Sequence, residues 1–271
     1  MNKDYERLKV SSDNEIDAYK RLKAIMGVLR KECPWDKAQT HESLRACMIE
    51  EAYEAAEAID RKDIPNLKEE LGDVFLQVIF HSLLAEESET FDMTEILNEE
   101  SEKMIRRHPH IFCDEDAKTV DKVLEKWENI KASEHSECNL TVRLKEVPVA
   151  LPALLRAEKV QKKANFVGFD FESLDEALQR LVEETEELKE AYKQSNLADI
   201  ENEFGDILFS LVNIARFMNV EPESALEKTI NKFISRIDFI ESNIEKRGMR
   251  LENVALEDMN LLWENAKKQG L

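Results

Sequence analysis

Two pairs of carboxylates are spaced for joint work on a cation: Glu184 with Glu187, and Glu203 with Asp206. Residues three apart share a helix face, so each pair sets two acids side by side. A break near Ser195 and Asn196 lets the second segment fold back along the first. Four carboxylates then converge between two antiparallel helices. Like charges held that close repel and need a counter-charge. A divalent cation with hard oxygen ligands supplies it, Mg²⁺ in the usual case. The set also occurs earlier, as Glu51, Glu54, Glu70 and Asp73, with position differences of 3, 16 and 3 in both copies. Gly72 and Gly205 match too, each just before the last acid. Glutamate is a good helix former and often coats solvated faces, which is the ordinary reading of any single ExxE here. A whole set duplicated at one spacing argues against that reading.

Cations follow each acid set in the same order. Lys103 and Arg107 come after the first, Lys232 and Arg236 after the second, four apart in each case. Such a pair on one helix face can grip phosphate oxygens, with arginine supplying a planar fork. The same spacing also occurs as a plain surface pattern. Trp127 and Trp263 each open a Trp-Glu-Asn triplet, and each either stacks on a base or closes a core. Glu50 and Glu183 precede the paired acids and lie about 100° around the helix from them. They orient a ligand or water, or they face solvent. His108 and His110 flank Pro109 and read as turn residues, not as a metal triad. The chain has no Walker A loop, dinucleotide fingerprint or G-x-S-x-G elbow. Phosphate binding must therefore run through metal and side chains.

The elements that position these groups read as helices throughout. Apolar residues at helical spacing predict a first helix over 16–29. Pro34 ends it, and Asp36 or Thr40 is placed to cap the next, with Trp35 as a packing anchor. The acidic helices span about 42–59 and from Pro65 to about 84, with Asp63 as the cap between them. Leu71, Val74, Phe75, Val78 and Ile79 are expected to face the core, and Phe204, Ile207, Leu208 and Leu211 to bury the helix that carries Asp206. Further helices are predicted over 94–107, 117–131 and 154–163. After the second acidic pair they cover 222–246 and 256–268. Residues 132–147 are polar and lack a clear period, and Pro148 and Pro152 follow them. The expected division is a domain over 1–131, a linker over 132–150 and a domain over 151–271. No strand-like alternation is sustained, so the fold class is all-α.

Composition agrees. The chain has 271 residues, 42% of them hydrophobic, with only 6 glycines and 6 prolines, which suits helical cores. Its formal net charge of −20 argues against nucleic acid and anionic membranes as general partners. There is no apolar run long enough to span a bilayer and no signal-peptide core at the N-terminus. Cys33, Cys47, Cys113 and Cys138 form no CxxC pair, and they read as reduced thiols of a cytoplasmic protein.

With these residues in view, the chain resembles a two-domain MazG protein, a nucleoside triphosphate pyrophosphohydrolase. The pattern EExxE, spacer, ExxD is met by Glu50-Glu51-x-x-Glu54 with Glu70-x-x-Asp73. It is met again by Glu183-Glu184-x-x-Glu187 with Glu203-x-x-Asp206. The segments CPWD and RRHPHIF also look typical. The resemblance implies tandem helical bundles, a homodimer, and Mg²⁺, with Mn²⁺ as an alternative, on the eight acids. It also implies hydrolysis of nucleoside triphosphates between the α and β phosphates. Glu183 or Glu187 is expected to take a proton from water. Lys232, Arg236 and Trp263 are expected to contact substrate in the second domain, and Lys103, Arg107 and Trp127 in the first. One departure stands out. A lysine found in some members four residues before the ExxD glutamate is Asp199 in the second copy and Asn66 in the first. Competing readings are a narrower phosphohydrolase acting on modified nucleotides and a non-catalytic module that senses nucleotide or binds protein.

Overall fold

The computed structural model describes residues 3–113, 119–134 and 139–271. The described residues form helices and short 3₁₀ turns, with no strand among them. The chain divides into two compact units, 1–131 and 132–271.

In the first unit, α1 (Glu15–Glu32) and a short α2 (Pro34–Ala38) lead into the hairpin of α3 (His41–Arg61) and α4 (Ile64–Glu87). Next come α5 (Met93–Arg107), the single turn α6 (Pro109–Phe112) and α7 (Val120–Ser133). The core is Met26 from α1, Leu44 from α3, Ile79, Phe80 and Leu84 from α4, and Met93 from α5. Thr40 caps α3 reciprocally. Its hydroxyl accepts from the Ser43 N–H at 3.2 Å, and the Ser43 hydroxyl accepts from the Thr40 N–H at 2.9 Å. Asp36 does not cap, because Pro34 opens α2 and draws Asp36 inside it, buried. Trp35 is 59% exposed and so is not a buried packing anchor among the described residues. The expected helix start near Ala117 lies outside the described residues, as does Cys138; Cys33, Cys47 and Cys113 are free thiols.

In the second unit, α8 (Leu140–Lys145) packs on α9 (Ala153–Asn165), which in turn packs against the hairpin of α10 (Leu174–Gln194) and α11 (Leu197–Phe217). Then α12 (Pro222–Glu245) pairs with α13 (Leu256–Lys268). Ile240, Ile244 and Leu262 form the apolar centre of that pair. Much of the stretch read as linker is therefore helical. Asn139 caps α8 by accepting from the Val142 N–H at 3.0 Å, and Lys163 donates to the Arg143 carbonyl at 2.6 Å. A helix of six residues is too short to show a period in sequence.

The two hairpins are built alike. A shift of 133 positions carries His41 onto Leu174 and Ile64 onto Leu197, the first residues of the paired helices. The same shift carries Lys62 onto Ser195. Both have left-handed backbone, with φ of 56° and 55°, at about 1–2 kcal/mol for a non-glycine residue. The turn still forms because the Lys62 and Ser195 N–H groups satisfy helix-end carbonyls, those of Ile59 at 3.0 Å and Tyr192 at 3.1 Å. Asp63 then caps α4 by accepting from the Asn66 N–H at 3.1 Å.

The outer face of each hairpin departs from expectation. Leu71 and Phe75 on α4 are exposed, as are Phe204, Leu208 and Leu211 on α11; Phe204 is 55% exposed. Only Ile79 of the first group is fully buried. Apolar periodicity shows that a face wants cover, and among the described residues these side chains remain largely open, with Tyr19 beside Phe75 at 6.2 Å between ring centres.

Candidate metal centre

The hairpin geometry brings the acids of each copy together. In the second unit, oxygens of Glu184, Glu187 and Glu203 lie within 4.8 Å of one another. In the first unit the trio is Glu51, Glu70 and Asp73. The i,i+3 spacing puts two acids on each helix, and the turn at Lys62 or Ser195 sets the two helices antiparallel. The fourth acid of each set stands close by. The charge of Glu54 raises the Glu51 carboxyl, and the charge of Asp206 is felt at both Glu184 and Glu203. Each set thus gathers a different three of its four carboxylates.

The cost of this arrangement shows in the proton affinities. Burial pushes the Glu51 carboxyl above the ordinary carboxylate range, and the charges of Asp73 and Glu54 push it further. Glu70 is raised by burial, then by Glu54 and Asp73. Burial is also the first cause at Glu203, followed by Glu187 and Asp206. Glu184 is raised by burial and by Asp206, Glu187 and Glu203, while the Arg180 guanidinium pulls the other way. Two carboxylates 4 Å apart repel by about 1 kcal/mol in water and about 4 kcal/mol at an effective dielectric of 20. Glu184 is only 4% exposed, and its Oε2 has no hydrogen-bond partner; the Glu203 Oε2 is buried and unpartnered as well. A buried, unsatisfied carboxylate oxygen is expensive. Here two of them sit in a cluster of hard oxygen donors, which is the ligand chemistry of Mg²⁺ or Mn²⁺.

Arg180 went unremarked in the sequence. Its Nε lies 2.7 Å from Glu184 Oε1, and its Nη1 lies 3.1 Å from Glu183 and 3.9 Å from Glu187. The i,i+4 relation to Glu184 was a legible signal. The shift that maps one hairpin onto the other carries Cys47 onto Arg180.

The remaining site residues are placed as follows. Glu183 is exposed and held by Arg180, and Glu50 is exposed on α3. Lys232 and Arg236 share α12, where the Arg236 guanidinium lies 5.1 Å from the centre of the Trp263 ring. Arg236 Nε also donates to the Leu271 carbonyl at 2.7 Å. Lys103 pairs with Glu100, and Arg107 lies over Trp127 at 5.4 Å. His108 packs edge-on against Trp127 with ring centres 4.9 Å apart. The structure thus joins each arginine to its tryptophan. No ion pair or hydrogen bond joins Lys232, Arg236, Lys103 or Arg107 to the acid set of its own unit among the described residues.

Known proteins resemble this chain in sequence. The MazG nucleotide pyrophosphohydrolase domain matches this chain twice, over residues 39–112 and 172–239, and each match contains one acidic hairpin. A nucleoside triphosphate pyrophosphohydrolase/pyrophosphatase MazG of Thermotoga maritima is 43% identical over 251 residues, 92% of this chain and 95% of that protein. A nucleoside triphosphate pyrophosphohydrolase of Escherichia coli is 39% identical over 95% of this chain and 99% of its own length. The uncharacterized protein YabN of Bacillus subtilis is 46% identical over 87% of this chain, which spans 48% of that protein. Duplicated hairpins, duplicated acid sets and near full-length similarity lead to one conclusion: the chain belongs to the MazG nucleotide pyrophosphohydrolase family, with two MazG domains.

Proposed function

We propose that the chain hydrolyses nucleoside triphosphates between the α and β phosphates, giving the monophosphate and pyrophosphate. The observation that carries this is the pair of acid clusters, one per hairpin, with unpartnered buried carboxylate oxygens at Glu184 and Glu203. Glu184, Glu187, Glu203 and Asp206 hold Mg²⁺, or Mn²⁺ in its place, and Glu51, Glu54, Glu70 and Asp73 do so in the first domain. The ion, when bound, supplies positive charge against the phosphate oxygens and makes water more acidic. Glu187 or Glu183 takes the proton that the attacking water gives up. Lys232 and Arg236 hold the β and γ phosphates and receive the charge of the leaving pyrophosphate, and Trp263 flanks them. Lys103, Arg107 and Trp127 have the matching roles in the first domain.

The working form is a homodimer. Apolar residues of α4 and α11, among them Leu71, Phe75, Phe204, Leu208 and Leu211, stand exposed. A second copy of the chain is the cover that these faces call for. No helix among the described residues is long and apolar enough to cross a membrane. The proposed place of action is the cytoplasm, where thiols such as Cys33, Cys47 and Cys113 stay reduced.

Phosphorus NMR of the full chain with a triphosphate and Mg²⁺ tests the reaction, because it identifies the bond cleaved. The expected products are monophosphate and pyrophosphate. Asp206→Ala and Asp73→Ala, singly and together, divide the activity between domains. Full activity in the double variant overturns the assignment. Binding of nucleotide and Mg²⁺ without turnover in the intact chain supports the sensing module instead.

A further inference from the structure

The two acid sets share spacing, hairpin and turn, but they differ in how their charge is met inside the chain. Arg180 stands one helical turn before Glu184 and touches three acids of EExxE: Glu184 at 2.7 Å, Glu183 at 3.1 Å and Glu187 at 3.9 Å. In the first hairpin the corresponding residue is Cys47, a free thiol with no charge to offer when protonated. Glu51, Glu54, Glu70 and Asp73 have no ion pair with any described cation. Their neighbours are one another: Glu51 feels Asp73, Glu54 and Glu70, with no cation opposing them. At Glu184, by contrast, Arg180 is the largest influence after burial.

A divalent ion entering the second set must displace the guanidinium or sit beside it. Either course subtracts from the attraction of the acids. Entering the first set, it meets bare carboxylates. A positive charge a few ångströms from the ion opposes its binding, and the expected gap in affinity is about tenfold or more.

We propose that Arg180 is a resident counter-cation that competes with the divalent ion at the second acid set, so that without nucleotide the first set binds the ion more tightly. This rests on the reading of both sets as metal sites given above, and it concerns occupancy, not turnover. Arg180 acts on the ion through the acids and is a positioning residue in this sense.

The test is a titration of the full chain with Mn²⁺ and no nucleotide, reading free Mn²⁺ by electron paramagnetic resonance. Two classes of site are expected, about tenfold apart. Asp73→Asn should remove the tighter class and Asp206→Asn the weaker. Arg180→Met should tighten the weaker class by about tenfold, while Lys189→Met, the same charge loss on the outer side of α10, should change it much less. Cys47→Arg should weaken the tighter class, an arm that decides the matter should Arg180→Met fail to fold. One class of equal sites, or an unchanged weaker class in Arg180→Met, overturns the inference and leaves the metal reading intact. No Mn²⁺ binding at either set overturns both.

Discussion

The guanidinium of Arg236 lies over the Trp263 ring, 5.1 Å from its centre. Such a contact is worth about 0.5–1 kcal/mol at an exposed site and holds a long side chain in one place. The arginine proposed above to grip phosphate is thus set in advance by the tryptophan. Trp263→Leu should raise KM for triphosphate about three- to tenfold and leave kcat less affected, because it loosens Arg236 without removing its charge. Arg236→Met should lower kcat as well. Steady-state kinetics of the two variants, with the first domain silenced by Asp73→Ala, separates these effects. Equal losses in both would place Trp263 in the chemistry, not in positioning.

Metal-free protein should be more stable at mildly acidic pH than at neutrality as far as its acid sets are concerned. Glu51, Glu70, Glu184 and Glu203 are all raised, by burial first. A raised carboxyl makes the folded state bind more protons than the unfolded state between the ordinary carboxylate value and its own. The contribution of these groups to stability therefore falls as pH rises through that window. Divalent ion reverses the trend by supplying the missing charge. Glu203→Gln should raise the Tm of the metal-free chain, reduce the gain on adding Mg²⁺, and lower activity in the second domain. Thermal melts with chelator and with Mg²⁺ at pH 5.5 and 7.5 check all three. A lower Tm for the metal-free variant at neutral pH would contradict the repulsion.

The uncovered face of α11 should be an interface between two copies. Leu208 and Leu211 are 40% and 45% exposed on the helix that carries Glu203 and Asp206. Placing acids there, as Leu208→Glu with Leu211→Glu, should convert the proposed dimer to a monomer in sedimentation equilibrium and remove most of the activity. A double variant that remains dimeric and active would move the interface elsewhere.

Arg30 should be the costliest single polar residue to remove in the first unit. It is 9% exposed, bonds the Asp36 and Gln39 carbonyls, and meets the Glu87 carboxylate through Nε at 3.0 Å. The Glu87 partner, half exposed, is screened and contributes little by itself. The two carbonyls are the larger matter, since losing Arg30 removes the donor at the Gln39 carbonyl and one of two donors at the Asp36 carbonyl, which also accepts from the Gln39 N–H at 3.2 Å, at a cost of about 1–3 kcal/mol. Arg30→Met should destabilise the chain by roughly 2–3 kcal/mol in urea unfolding, and Glu87→Gln by under about 1 kcal/mol.

Helical periodicity and chemistry at fixed spacing are local properties, and the sequence by itself determined what they govern. The all-α class, the two acidic hairpins and the turn at Ser195 were legible there, and the Asp63 cap was too, because each rests on residues within a few positions of one another. The acid sets were legible because an i,i+3 pair shares a face whatever surrounds it. Only the tertiary structure decided that Leu71, Phe75, Phe204 and Leu208 remain open, since an apolar stripe does not say what will cover it. It likewise decided that Glu184 is the buried acid and that Arg180 pairs with acids of one set while Cys47 offers the other no such partner. Those outcomes depend on which side chains meet across a helix pair, and the energy of meeting grows from distance and burial that no linear pattern carries.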